Sequence, residues 1–123
     1  MLFRSGLKPL EEFFILPEPT PNSEPSWFGF VLTVREGAPF KRDAIVRHLN
    51  ELGIGTRLLF GGNLVRQPYM IGRNFRVHGS LSNSDTIMNQ TFWIGVYPGL
   101  GDEHIGHVLQ VIQDFCAAQT RGA

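Results

Sequence analysis

Residues Trp27 to Arg35 (Trp-Phe-Gly-Phe-Val-Leu-Thr-Val-Arg) form a nearly continuous apolar run, aromatic and β-branched, closed off by Pro25 and Gly37. A run this short between two breakers reads as a β-strand covered on both faces. It is the expected centre of a sheet, and the rest of the chain has to pack around it. Upstream, Pro17, Pro19, Pro21 and Pro25 exclude helix and central strand, because each fixes its own backbone angle and lacks an N–H. Before the prolines, Leu7 to Leu16 suggests a short helix running into an extended segment.

Downstream the periodicity changes. From Lys41 to Leu52 the apolar residues Ile45, Leu49 and Leu52 recur at helical spacing, Val46 widens the stripe, and Gly53 stands where a left-handed C-cap is expected. Ile54 to Phe60 returns as a second strand, broken by Gly61-Gly62-Asn63. Residues 64–82 lack periodicity and contain Pro68, Gly72 and Gly79, a long loop of the kind that often carries function. A short helix over Ser84 to Gln90, capped by Asn83 or Ser84, leads to a third strand at Phe92 to Val96. Ile105, Val108, Leu109, Ile112 and Phe115 mark a terminal amphipathic helix with Asp102 and Glu103 at its start. The pattern is an α+β domain of about three strands with helices on one face.

At 123 residues there is room for one core and not for a full cofactor-binding domain beside it. No apolar run approaches the roughly 20 residues that span a bilayer. The N-terminus shows no secretory pattern, and the lone Cys116 has no intrachain disulfide partner, so a cytoplasmic setting is expected. Eleven basic and eleven acidic residues cancel, which weighs against a nucleic-acid coat protein. Their distribution is uneven, however. No acid lies between Glu51 and Asp85, while Arg57, Arg66, Arg73 and Arg76 do. Four guanidinium groups without a local counter-charge make a candidate anion site, unless the fold brings acids to them.

Catalytic constellations are sparse. Gly61-Gly62 lacks the spacing and the lysine of a phosphate loop. Cys116 sits on the terminal helix in a structural setting, His104 and His107 have no third ligand in sequence, and His48 reads as a surface residue. His78 lies in the arginine-bearing loop. Lys8 and Lys41, the only lysines, stand in charged contexts unlike a buried Schiff-base lysine. No catalytic residue and no metal ligand is assigned in this chain.

Three co-linear segments carry a resemblance. They are Ser26 to Phe30, Gly53 to Leu64 with Arg66-Gln67-Pro68, and Met88 to Gly99 (Met-Asn-Gln-Thr-Phe-Trp-Ile-Gly-Val-Tyr-Pro-Gly). Together they resemble the C-terminal small domain of the CDP-4-keto-6-deoxyglucose 3-dehydrases, in the DegT/DnrJ/EryC1/StrS family of sugar aminotransferases and dehydrases with the aspartate aminotransferase fold. The resemblance implies pyridoxamine or pyridoxal phosphate as cofactor, held mainly by a large domain, and C3 deoxygenation of a CDP-linked 4-keto-6-deoxy-hexose for lipopolysaccharide. Residues 1–123 are then one domain, the C-terminal part of a larger enzyme, and not catalytic alone. Some members carry a 2Fe–2S cluster, whose several cysteine ligands one cysteine does not supply.

Within that family, Phe28 stands where the aminotransferases have histidine, and Leu59-Phe60 where they have a His-Tyr pair. Both departures match the dehydrase pattern, with a nucleotide-sugar aminotransferase as the alternative. The substrate-binding residues implied are Phe28, Arg57, Phe60, Asn63, Arg66 and Gln67, guanidinium for pyrophosphate and amide for sugar hydroxyls. The bland alternatives are that Phe28, Phe60 and Trp93 are core and that Asn63 satisfies a left-handed turn. The partners implied are the large domain, the CDP-sugar and a second subunit of a homodimer, with no nucleic acid and no membrane. A stand-alone binding module or regulatory remnant is the remaining reading, its nucleic-acid form resting on Phe60, Tyr69, Phe75 and the arginines.

Overall fold

A strand that is apolar throughout is stable only between neighbours, and the computed structural model, which describes residues 2–122, gives this one two. Strand β2 (Gly29–Val34) pairs antiparallel with β4 (Thr91–Gly95) on one side and with the two-residue β1 (Phe14–Ile15) on the other. Strand β3 (Thr56–Leu58) pairs antiparallel with the far edge of β4, so the order is β1-β2-β4-β3. The four-stranded sheet includes the three strands expected. The extra one, β1, is too short for any pattern and exists through its pairing with Val34 and Thr33.

The helices are α1 (Leu2–Leu7), α2 (Arg42–Glu51), α3 (Ser82–Gln90) and α4 (Asp102–Arg121). Phe3 and Leu7 of α1, Ile45 and Leu49 of α2, and Val111, Ile112, Phe115 and Cys116 of α4 form one core with Phe14, Phe30, Leu32, Val34, Phe92 and Ile94 of the sheet. Helix α1 begins earlier than its sequence suggests because Phe3 and Leu7, four apart, are buried in that core. It lies close on α4: the place a Cβ on Gly6 would take is filled by Leu109. Phe40 joins the layers, its ring edge-on to Phe115 at 5.0 Å and tilted on Phe14 at 5.8 Å.

Local chemistry sets the ends of α2. Gly53, at φ +77°, closes it as expected, with Ile54 N–H on the Leu49 carbonyl (2.9 Å) and Gly53 N–H on that of Asn50 (3.1 Å). Asn50 Oδ1 then accepts from both the N–H (3.2 Å) and the hydroxyl (3.1 Å) of Thr56, which ties the start of β3 to α2. Helix α3 starts at Ser82, earlier than expected. The Ser82 N–H donates to Ser80 Oγ (3.2 Å), and neither Asn83 nor Ser84 is the cap.

Strand β2 is not equally covered on its two faces. Phe30, Leu32 and Val34 are buried, whereas Val31 and Thr33 are half-buried on the opposite face. An antiparallel sheet with helices against one side has this alternation. His48 is likewise not a plain surface residue: it is half-buried, with its ring on Phe115 at 5.1 Å. Cys116 is fully buried, and burial, reinforced by the charge of Glu12, pushes its thiol up to about 12. Alkylation by iodoacetamide at pH 8 is therefore expected to be about a thousandfold slower in the folded chain than in urea. Comparable rates in a timed mass-spectrometric assay would contradict this burial.

Candidate functional site

The groups of interest lie on the face of the sheet opposite Phe30, Leu32, Phe92 and Ile94 and along its β3 edge. The register sets Trp93 between Val31 on β2 and Arg57 on β3. Its indole lies flat over Gly29, so that a Cβ there would stand 1.7 Å from Cε3. Its Nε1–H donates to the Leu58 carbonyl at 3.1 Å, pinning the ring across the strands. Phe28 covers it, ring centroids 4.8 Å apart, while remaining 77% exposed. Phe28 is therefore not core, and Trp93 is a surface platform rather than an interior ring.

Arg57 stands on the edge strand. Its Nη1 donates to the carbonyl of the preceding Thr56 (3.0 Å), and its side chain lines a groove of about 800 Å³ between α2 and β3 with Arg42, Arg47 and Asn50 and the carboxylates Asp43 and Glu51. Of the four arginines in the acid-free stretch, Arg66 has a carboxylate partner brought by the fold. Its Nε and Nη2 both donate to Asp85, the latter at 2.8 Å. Arg73 donates from Nε to the Tyr69 carbonyl at 2.7 Å. All residues from Ile71 to Ser80, including Arg76 and His78, are exposed.

Beyond β3 the chain turns sharply. Phe60 takes a left-handed backbone (φ +47°) and is 83% exposed, and Gly62 is left-handed too (φ +58°). Asn63 itself is extended, so it does not fill the left-handed position its sequence suggested. It is 3% exposed, caps the 3-10 turn Leu64–Arg66 by accepting the Val65 N–H at 3.3 Å, and donates to Asp85 Oδ1 at 2.9 Å. Gln67 Nε2 donates to the Gly61 carbonyl at 2.6 Å. The hydrogen bonds from Arg66 and then Asn63 hold the Asp85 carboxyl down to about 2, so it is ionised throughout the neutral and mildly acidic range.

The six residues singled out in sequence thus fall into three groups. Phe28 joins Trp93, Arg57 faces the α2–β3 groove, and Asn63, Arg66 and Gln67 build the turn that carries Phe60. Sequence reasoning passed over Asp85. The signal was present, since Asp85 is the acid that ends the acid-free stretch.

A pyridine cofactor with a phosphate does not fit within this chain alone. Lys8 and Lys41 are both exposed, and the Phe28–Trp93 face is open. A separate cavity of about 610 Å³, between the end of β4 and the start of α4, has mainly apolar walls such as Phe3, Ile54 and Val108. His104 and His107 stand exposed at its edge, and no group of three metal-ligating side chains occurs among the described residues. No helix among them is long and apolar enough to cross a membrane.

The model of the DegT/DnrJ/EryC1/StrS aminotransferase family matches residues 1–113. The lipopolysaccharide biosynthesis protein RfbH of Salmonella typhimurium is 52% identical over 112 residues, covering 91% of this chain and 26% of that protein. The dTDP-4-dehydro-2,6-dideoxy-D-glucose 3-dehydratase of Saccharopolyspora spinosa is 46% identical over 114 residues, 93% of this chain and 24% of that one. The chain spans about a quarter of the length of these curated relatives. Among solved structures, the E. coli GDP-4-keto-6-deoxy-D-mannose-3-dehydratase with bound hydrated PLP matches with a TM-score of 0.79 at 22% identity, over 89% of this chain and 28% of that one. S. venezuelae DesV, in complex with a ketimine intermediate, matches at 0.72 and 21% identity, over 94% and 30%. At these identities the structural likeness is one of fold.

Proposed function

Because the chain belongs to the DegT/DnrJ/EryC1/StrS aminotransferase family, we propose that it is the substrate-side small domain of a pyridoxamine- or pyridoxal-phosphate-dependent nucleotide-sugar 3-dehydratase. The substrate in this reading is a CDP-linked 4-keto-6-deoxy-hexose, deoxygenated at C3 in the cytoplasm for lipopolysaccharide synthesis. The 3-dehydratase reading is supported by the 52% identity to RfbH over nearly the whole chain and by the 46% identity to a dTDP-sugar 3-dehydratase, while the CDP-linked substrate rests on the sequence resemblance. The exposed Phe28 and Phe60, at positions where the aminotransferases carry polar rings, favour the dehydratase within the family.

The cofactor and its chemistry belong, in this reading, to a large domain against which the Phe28–Trp93 face packs. This chain's own residues bind and orient. Phe28 with Trp93 offers an apolar wall that excludes water from the sugar, and Phe60 offers a second. Arg57 supplies an anion contact for the diphosphate in this reading: among the described residues its guanidinium forms no ion pair and donates to the Thr56 carbonyl. Asn63, Arg66 and Gln67 contribute through the turn they hold together. Pairing through large domains makes a homodimer the assembly expected.

The test is a chimera in which residues 1–113 replace the corresponding quarter of Salmonella RfbH. It is expected to dehydrate CDP-4-keto-6-deoxyglucose. Formation of a 4-amino sugar in its place would establish the aminotransferase alternative, and loss of activity by a folded chimera would count against the family-level role. In the active chimera, Arg57→Ala is expected to weaken nucleotide-sugar use by about 1.5 to 3 kcal/mol, the worth of one charge-assisted contact. Unchanged kcat/KM would remove Arg57 from the site.

A further inference from the structure

The turn after β3 is organised around a side chain that gives nothing to the core. Phe60 is left-handed at φ +47° with its ring almost wholly exposed. A left-handed backbone is unfavourable at a residue with a side chain. Such a conformation persists only where its surroundings over-determine it, and strain of this kind gathers at functional positions. The surroundings here are specific. The Gly62 N–H closes the turn on the Leu59 carbonyl at 3.1 Å, and Gln67 Nε2 closes it again on that of Gly61 at 2.6 Å.

The turn is then fastened to α3 at two points. Gly62 sits directly on Met88, where any Cβ would come within 2.6 Å of the Met88 Cβ. Asp85, three residues earlier and on the same face of α3, takes Asn63 Nδ2 at 2.9 Å and both arms of Arg66. Helix α3 is anchored in its turn, because Arg42 Nη1 at the start of α2 donates to the Met88 carbonyl at 2.5 Å. These contacts hold residues 59–67 directly or through α3, and Phe60 is the large exposed ring on that turn.

We propose that Asp85 is a positioning residue: by gripping Asn63 and Arg66 together it fixes the 59–67 turn to α3 and holds Phe60 at one place on the ligand-facing side. The identity of the ligand rests on the nucleotide-sugar reading above, whereas the hold on the turn does not. Arg66 on this account acts through Asp85 and not as an anion ligand, which leaves that task to Arg57. Asp85, held ionised by Arg66 and Asn63, fits a grip that persists through the neutral range. Helix α3 buries none of its own residues, so substitution of Asp85 leaves the core intact.

The experiment uses the 123-residue chain and compares wild type, Asp85→Ala, Asp85→Asn and Phe60→Ala by amide hydrogen exchange and by NMR titration with CDP. Asp85→Ala is expected to speed exchange at Gly62, Val65 and Arg66 at least tenfold while Phe92 and Ile94 stay protected. Asp85→Asn, which keeps an acceptor for Asn63, is expected to recover part of that protection. CDP affinity in Asp85→Ala is expected to fall to that of Phe60→Ala. Unchanged exchange in the turn overturns the proposal, as does wild-type CDP binding in Asp85→Ala beside lost binding in Phe60→Ala. If the wild-type chain binds no CDP, the nucleotide reading fails, and the exchange result alone decides the role of Asp85.

Discussion

Phe92→Ala is expected to remove about 3 to 5 kcal/mol of stability, a large part of the roughly 5 to 15 kcal/mol that holds an ordinary domain together. Phe92 is fully buried as the second residue of β4, opposite Leu32 of β2 on one side and Leu58 of β3 on the other. Deleting the ring forfeits its transfer free energy. It also leaves a void beneath a sheet whose neighbours are fixed by backbone pairing on both edges and cannot close in. Urea unfolding followed by circular dichroism measures the loss, with a lower midpoint and an unchanged slope expected. A change under 1 kcal/mol would mean that the ring does not sit where the register puts it.

Gly29→Ala is the second large effect, and it acts on the opposite face. An added Cβ would meet the six-membered ring of Trp93 at 1.7 Å, so the indole has to leave its place over β2. That movement breaks the hydrogen bond to Leu58 and separates Trp93 from Phe28. One net hydrogen bond and one aromatic pair together are worth about 2 kcal/mol. With Trp27 replaced by phenylalanine, the emission of Trp93 reports directly on the displacement. A red shift with weakened ligand response is expected, and an unchanged spectrum would contradict the close approach. The glycine is therefore required by contact, since its backbone does not lie in the left-handed region.

Features governed by near neighbours were legible in sequence. Helix α2 and its Gly53 cap follow from a stripe of Ile45 and Leu49 and a residue free to turn left-handed. The strands at Gly29–Val34 and Thr91–Gly95 follow from β-branched and aromatic runs between breakers. What was not legible depends on distant partners. Strand β1 exists because Val34 and Thr33 offer it an edge, and α1 because Leu109 and the core receive its apolar side. The same division holds for the site. The aromatic and basic residues were recognisable as types, yet only the fold shows that Asp85 pairs with Arg66. The left-handed Phe60 had no clear local signal, because the turn that holds it is fastened to Asp85 and Met88, 25 and 28 residues further along.

The order of the strands bears on how the chain comes to be folded during synthesis. Strand β4, the last to be made, inserts between β2 and β3. Until residue 95 has left the ribosome, β2 and β3 have no shared ladder, and each presents an unpaired edge to whatever else is nearby. Such pairing is slow because it joins distant parts of the chain, Gly29 with Gly95 at the extreme. The exposed residues 71–80 lie within the span that has to be bridged. Their length is thus part of the folding route, since they set how far the final strand can swing before it seats.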